Sequence, residues 1–159
     1  RPRMLRRAAL LVPLASALLL PACGEDTGTL PNVTRAGLQI VVDPTPVPGV
    51  QNPLTGSVTA NYRIRVTETN GLGGKLVFVS SQIFDPETGL QVAASYFDST
   101  DLVVFVGSDR LEPGGTLEVP QNPAYVLPDF RKEAQLTVNV QLRDDRSNVV
   151  NQSVLVKIE

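Results

Sequence analysis

The chain has 159 residues, with 14 basic and 16 acidic side chains, one cysteine and no histidine. That inventory excludes a Ser–His–Asp triad, a zinc site built from Cys and His, and an internal disulfide. Carboxylates, serines and lysines are what remain for chemistry, and the commonest general base is missing.

Residues 1–22 read as a targeting segment. Arg1, Arg3, Arg6 and Arg7 make a positive start with no acid before Glu25, and residues 8–20 form an apolar run of thirteen. A membrane-spanning helix needs ~20 apolar residues, whereas the core of a signal peptide needs roughly 7–15. Pro13 further weakens a continuous helix by removing an amide donor. The first methionine is Met4, so translation is expected to start there or upstream. The run ends in Leu20-Pro21-Ala22-Cys23, followed at once by Gly24.

This junction resembles the lipobox of bacterial lipoproteins: an aliphatic residue, a variable one, a small one, then cysteine. The resemblance implies that Cys23 carries a diacylglycerol and becomes the first residue. It also implies that Ala22 is the small residue at the cut and Leu20 the aliphatic recognition residue. Pro21 departs from the Ala, Ser, Thr or Val usual there. The implied address is the bacterial cell envelope, lipid-anchored and facing the periplasm or exterior, with the membrane as a partner through the acylated cysteine. A lone cysteine is ordinarily a small buried hydrophobe, but this one sits where an apolar run gives way to a polar tail.

Removing residues 1–22 takes away four arginines and no acid, which leaves 10 basic against 16 acidic residues, a net charge of −6. An acidic surface argues against nucleic acid as a partner, since phosphates are neutralised by clustered Lys and Arg. The remaining 137 residues suit one domain. Residues 23–35, polar and rich in Gly and Thr, are expected to be the acylated cysteine and a flexible tether. Asn32-Val33-Thr34 fits a glycosylation sequon but reads as plain loop.

From residue 36 to 159 the pattern is β. A first strand is expected at 37–43 (GLQIVVD). Four prolines in 44–56 then interrupt pairing, which points to an edge crossing or an ordered loop. Residues 57–69 (SVTANYRIRVTET) alternate, with Val58, Ala60, Tyr62, Ile64 and Val66 on the dry face. After the turn at 70–74, the strand at 75–84 is apolar on both sides and therefore central. DPETG (85–89) is a turn, with Pro86 setting φ and Gly89 supplying a positive φ. Strands follow at 90–97, 101–106 and 116–119, with a turn at 107–115. Residues 120–133 read as irregular, with a short extended piece at 124–127. The closing pair, 134–143 and 149–158, is a hairpin with Leu136, Val138, Val140 and Leu142 facing Val150, Val154, Val156 and Ile158 inward. No helix is expected in this domain.

About seven or eight short strands with no helix specify an all-β, antiparallel two-sheet sandwich or small barrel. RLEPGGTLEV (110–119) and the closing hairpin are similar to the late strands of immunoglobulin-like and fibronectin-type-III-like domains. The resemblance implies an immunoglobulin-like β-sandwich, although there is no Trp and no cysteine pair.

The acidic clusters carry little chemistry. Asp144, Asp145, Ser147 and Asn148 do not match the spacing of a calcium loop, and turn formation accounts for them. Asp98, Asp101 and Asp109 would need their loops to converge, and loop acids are ordinarily solvated. The glycines at 71–74 lack the helix and lysine of a phosphate loop. Tyr125, Val126, Leu127 and Phe130 form a candidate contact loop, which either caps the core or offers an apolar patch.

The expected function is a non-enzymatic, lipid-anchored envelope protein with a binding or structural accessory role. A protein or glycan partner in the envelope is expected; a metal, a cofactor or nucleic acid is not. Two alternatives are a protease-inhibitor or chaperone-like module using the loop at 44–53, and a glycan hydrolase. The hydrolase would require two carboxylates ~5–9.5 Å apart across a cleft.

Overall fold

The computed structural model describes residues 32–159. Leu20, Ala22, Cys23 and the whole targeting segment lie outside the described residues, as does most of the tether. Eleven strands and one α-helix follow: β1 (Leu38–Asp43), β2 (Gly49–Gln51), β3 (Ser57–Ala60), β4 (Tyr62–Glu68), β5 (Gly74–Phe84), β6 (Gln91–Asp98), α1 (Ser99–Val106), β7 (Arg110–Leu111), β8 (Thr116–Gln121), β9 (Ala124–Val126), β10 (Ala134–Asp144) and β11 (Val149–Ile158).

The chain is all-β with antiparallel sheets in a sandwich-like arrangement. One sheet has the order β1-β4-β8, a second β11-β10-β5-β6 with β7 also on β5, and a small third sheet is β2-β3-β9. Period-two alternation decides which side of each strand is dry. Ile64 and Val66 of β4, Leu76, Val79 and Ile83 of β5, and Leu136, Val138 and Leu142 of β10 are all buried in one core. The strand expected to be central is central, because β5 pairs with β10 on one side and with β6 and β7 on the other.

Two local departures serve this packing. Between Gln141 and Leu142 the register slips by one, so Val77 is bulged out of the β5–β10 ladder. The bulge lets Leu76 and Val79, three residues apart, face the same core. At the start of β5, a Cβ on Gly74 would lie 2.6 Å from the carbonyl oxygen of Arg143, so only glycine allows this approach to β10.

Three expectations are corrected. The alternating stretch 57–69 is two strands: β3 pairs with β2 and β9, while β4 pairs with β1 and β8. The break falls at exposed Asn61. The segment 101–106 is helical, not extended, so a domain without helix was the wrong expectation. Asp98 accepts from the amides of Thr100 (2.7 Å) and Asp101 (2.9 Å), and Asp101 accepts from the amide of Asp98. Gly107, at φ 90, closes the other end, with its amide donating to Val103. This capping box and left-handed C-cap outweigh the β preference of Val103, Val104 and Val106. Finally, the stretch after Pro120 is not wholly irregular: β8 runs on to Gln121, and a single 3-10 turn at Pro128–Phe130 follows β9, which falls within the extended piece expected at 124–127.

Candidate functional site

The residues of the expected contact loop divide by strand alternation. Tyr125 lies opposite Val58 in the β3–β9 ladder and is buried, as is Leu127. The Tyr125 hydroxyl donates to the carbonyl of Lys132, and burial pushes the phenol up to about 12. Val126 and Phe130 remain exposed, at 57% and 61%. Phe130 is held by its backbone, whose carbonyl accepts from Gln51 Nε2 at 2.6 Å. Two of the four residues cap the core and two lie on the surface.

The acidic side chains are occupied by structure. Asp98 and Asp101 close the N-terminus of α1, while Asp109 pairs with Lys75 at 3.5 Å. Asp144 accepts from the amides of Ala36, Arg146 and Asn148. Burial raises its pKa, but these donors and the Asn148 side chain outweigh it and hold the carboxyl below the usual range. Asp145 takes both guanidinium nitrogens of Arg110, at 2.9 and 2.8 Å. Buried Asp85 is gripped by Arg131, and its carboxyl is lowered to about 2, first by that bond. An acid so engaged is poorly placed to shuttle protons.

Sequence reasoning missed the outer face of the β11-β10-β5-β6 sheet. Register brings Ser80 beside Asn139 and Tyr96, and Asn139 beside Ser153. The Asn139 Oδ1 accepts from Ser153 at 2.6 Å, and Gln141 donates to Asn151 at 2.9 Å. The Phe78 and Tyr96 rings stack alongside, with centroids 5.5 Å apart and planes at 26°. With Gln82, all of these residues but Gln141 line a shallow depression of about 460 Å³ with no charged side chain in its wall. Amides and hydroxyls donate and accept, and the stacked rings give an apolar platform. The face is therefore suited to uncharged polar groups with a flat apolar side. The signal available in the sequence was the alternating Asn139 and Gln141, which read only as a wet face.

No protein-family model matches the chain, and no curated protein is similar to it in sequence. Solved structures do resemble it in outline. ApaA from Bordetella pertussis is 14% identical, covering 77% of this chain and 92% of that one, with a TM-score of 0.53. The structural-genomics target SoR45 is 9% identical, covering 77% and 86%, also at 0.53. These likenesses show the fold alone.

A third structure corrects the partner expectation, which combined a membrane-anchored cysteine and a protein or glycan partner with the exclusion of nucleic acid. It is the alkylpurine DNA glycosylase AlkC of Pseudomonas fluorescens bound to DNA, 15% identical over 78% of this chain and 30% of that one. The exclusion is withdrawn. Its physical basis was a whole-surface charge, whereas backbone contacts depend on where individual basic residues lie. At a TM-score of 0.39 the likeness assigns this chain no DNA-binding role.

Proposed function

We propose that the protein is a lipid-anchored, non-enzymatic module of the bacterial cell envelope, carrying an immunoglobulin-like β-sandwich in a binding or structural accessory role. The observation that carries the reading is the junction Leu20-Pro21-Ala22-Cys23-Gly24 at the end of an arginine-led apolar run. A lone thiol at that border has no disulfide partner. Acylation accounts for both its position and its isolation. Two acyl chains on one cysteine give stable membrane residence where a single chain is marginal.

The non-enzymatic part is supported by the way Asp85, Asp144 and Asp145 are tied to arginine and backbone donors. The sandwich reading is supported by the antiparallel sheets around one core and by the closing β10–β11 hairpin. For a binding role, the uncharged face around Asn139, Ser80 and Tyr96 is the surface on offer.

The test is the mass of the N-terminal peptide of protein purified from native membranes. It should begin at Cys23 and carry the added mass of diacylglycerol. Cys23→Ala should move the protein to the soluble fraction or leave an unprocessed precursor. A native N-terminus elsewhere, or a Cys23 peptide of unmodified mass, would sink the proposal.

A further inference from the structure

Helix α1 presents an apolar surface that folding does not account for. Five consecutive residues, 102–106, are apolar, yet within the helix only Leu102 is buried. Val103, Val104 and Phe105 are 50%, 71% and 68% exposed. Single exposed hydrophobes need no explanation, but consecutive residues step about 100° round a helix, so these three spread apolar surface around the side of α1 away from Leu102. Phe105 is also held in place, its ring meeting Phe97 edge-on with centroids 5.8 Å apart.

The position of the helix says what lies near that surface. After Gly107 the chain reaches Arg110, which binds Asp145 through two bonds. The adjacent Asp144 accepts from the amide of Ala36, and Asn148 donates to the carbonyl of Thr34. The β10–β11 turn thus holds both the segment that follows α1 and the point where the described chain begins. Cys23 lies nine residues before Asn32, and an extended chain of that length reaches about 30 Å at most. The described chain therefore begins within that reach of whatever holds Cys23.

Charge is not the attraction. The helix carries no Lys or Arg. At the same end Arg110 pairs with Asp145 and Glu112, and Lys75 pairs with Asp109. A contact made by α1 is therefore apolar.

We propose that the Val103–Val104–Phe105 surface of α1 beds into the interface of the bilayer that holds Cys23, giving the domain a second lipid contact and a fixed orientation. The proposal rests on the reading of Cys23 as the anchor. The short tether makes the second contact intramolecular, so a weakly binding helix is held at high effective concentration near the lipid.

The protein has no tryptophan and a single cysteine, and both facts shape the test. Phe105→Trp supplies one reporter, Val104→Trp a second should the first misfold, and Leu90→Trp marks the turn at the far end of β5. The chain beginning at Cys23, which retains every core residue, is coupled through that thiol to a maleimide lipid in phosphatidylcholine vesicles. Acyl chains brominated along their length serve as quenchers. The α1 reporters should lose most of their emission and shift to the blue, at low and high salt alike, while Leu90→Trp keeps its emission. Adding Val104→Asp to the Phe105→Trp chain should abolish the quenching with coupling unchanged.

Full emission from the α1 reporters on coupled vesicles overturns the proposal. So does a blue shift without quenching that grows with protein density, which means that a second copy covers the helix. Coupling holds the domain at the bilayer whether or not cells acylate Cys23. Failure of the anchor reading, seen in the native mass, is thereby separate from failure of the helix contact.

Discussion

The hydroxyl of Tyr62 donates to Ser81 Oγ at 3.0 Å, and the bond crosses from the β1-β4-β8 sheet to the larger one. Ser81 meets Ser95 at 2.7 Å, and Ser95 donates to Gln121 Oε1 at 2.6 Å, which returns the chain of bonds to β8. Burial pushes the Tyr62 phenol up to about 12, so it remains a donor at ordinary pH. A polar wire through an apolar core fixes how the two sheets face each other, since each hydroxyl has one productive orientation.

Tyr62→Phe keeps the ring and removes the donor. The expected cost is about 1–1.5 kcal/mol, seen as a lower denaturant midpoint with an unchanged slope. Tyr62→Phe combined with Ser81→Ala should cost less than the two singles added together, because both remove the same bond. Strict additivity would mean that Tyr62 and Ser81 do not interact.

Glu68 ties together three stretches that lie far apart in the sequence, around Gly37, Asn70 and Gly114. Its Oε1 accepts from the amides of Gly37 and Asn70, and its Oε2 from those of Gly71 and Gly114. Burial raises the pKa of this 1%-exposed carboxyl, but the four amides outweigh burial and keep it below its usual value. Glu68→Gln preserves shape yet turns an NH₂ toward backbone N–H groups. A loss of about 2–3 kcal/mol is expected, with faster amide exchange at Asn70, Gly71 and Gly114. A Gln variant as stable as the parent would show that the carboxylate is dispensable.

The strand faces were legible because period two survives local accidents. Val58, Ala60, Tyr62, Ile64 and Val66 are all buried as read. The change of sheet at Asn61 was not legible for the same reason, since the alternation passes through it in phase. Helix α1 was hidden by its composition: Val and Phe favour strands, while the deciding signals are two aspartates three apart and one glycine. The polar face was half legible. Asn139 and Gln141 announced a wet side, but Ser80, Tyr96 and Asn151 join them through strand order, which periodicity does not encode. The Cys23 junction was read from motif alone and lies outside the described residues.

Acid should unfold the domain over a defined range. The Asp85 carboxyl lies at about 2 in the folded state, against about 3.9 for an unfolded chain. A depressed folded pKa gives stability that is present above the unfolded value and lost as pH falls through the folded one. Stability should therefore decline from about pH 4 toward pH 2, and Glu68 and Asp144, also lowered, should steepen that decline. With no histidine in the chain, the midpoint should be flat between about pH 5 and 8. Asp85→Asn should flatten the acid limb, so an unchanged pH profile in that variant would exclude the Asp85–Arg131 pair as its source.

Within α1, the residues that fold the helix and those that decorate it should separate by stability. Leu102 is fully buried, so Leu102→Ala should cost about 2–5 kcal/mol through lost transfer energy and a cavity. Asp98→Ala removes the acceptor for two amides and should cost about 1 kcal/mol. Val104→Ser changes a side chain that is 71% exposed and should stay within about 0.5 kcal/mol of the parent. That ordering, measured by urea unfolding in the absence of lipid, leaves the outward apolar side chains with no part in holding the fold. Should Val104→Ser prove as damaging as Leu102→Ala, the helix would be packed through its outer side, and its apolar surface would be explained by folding alone.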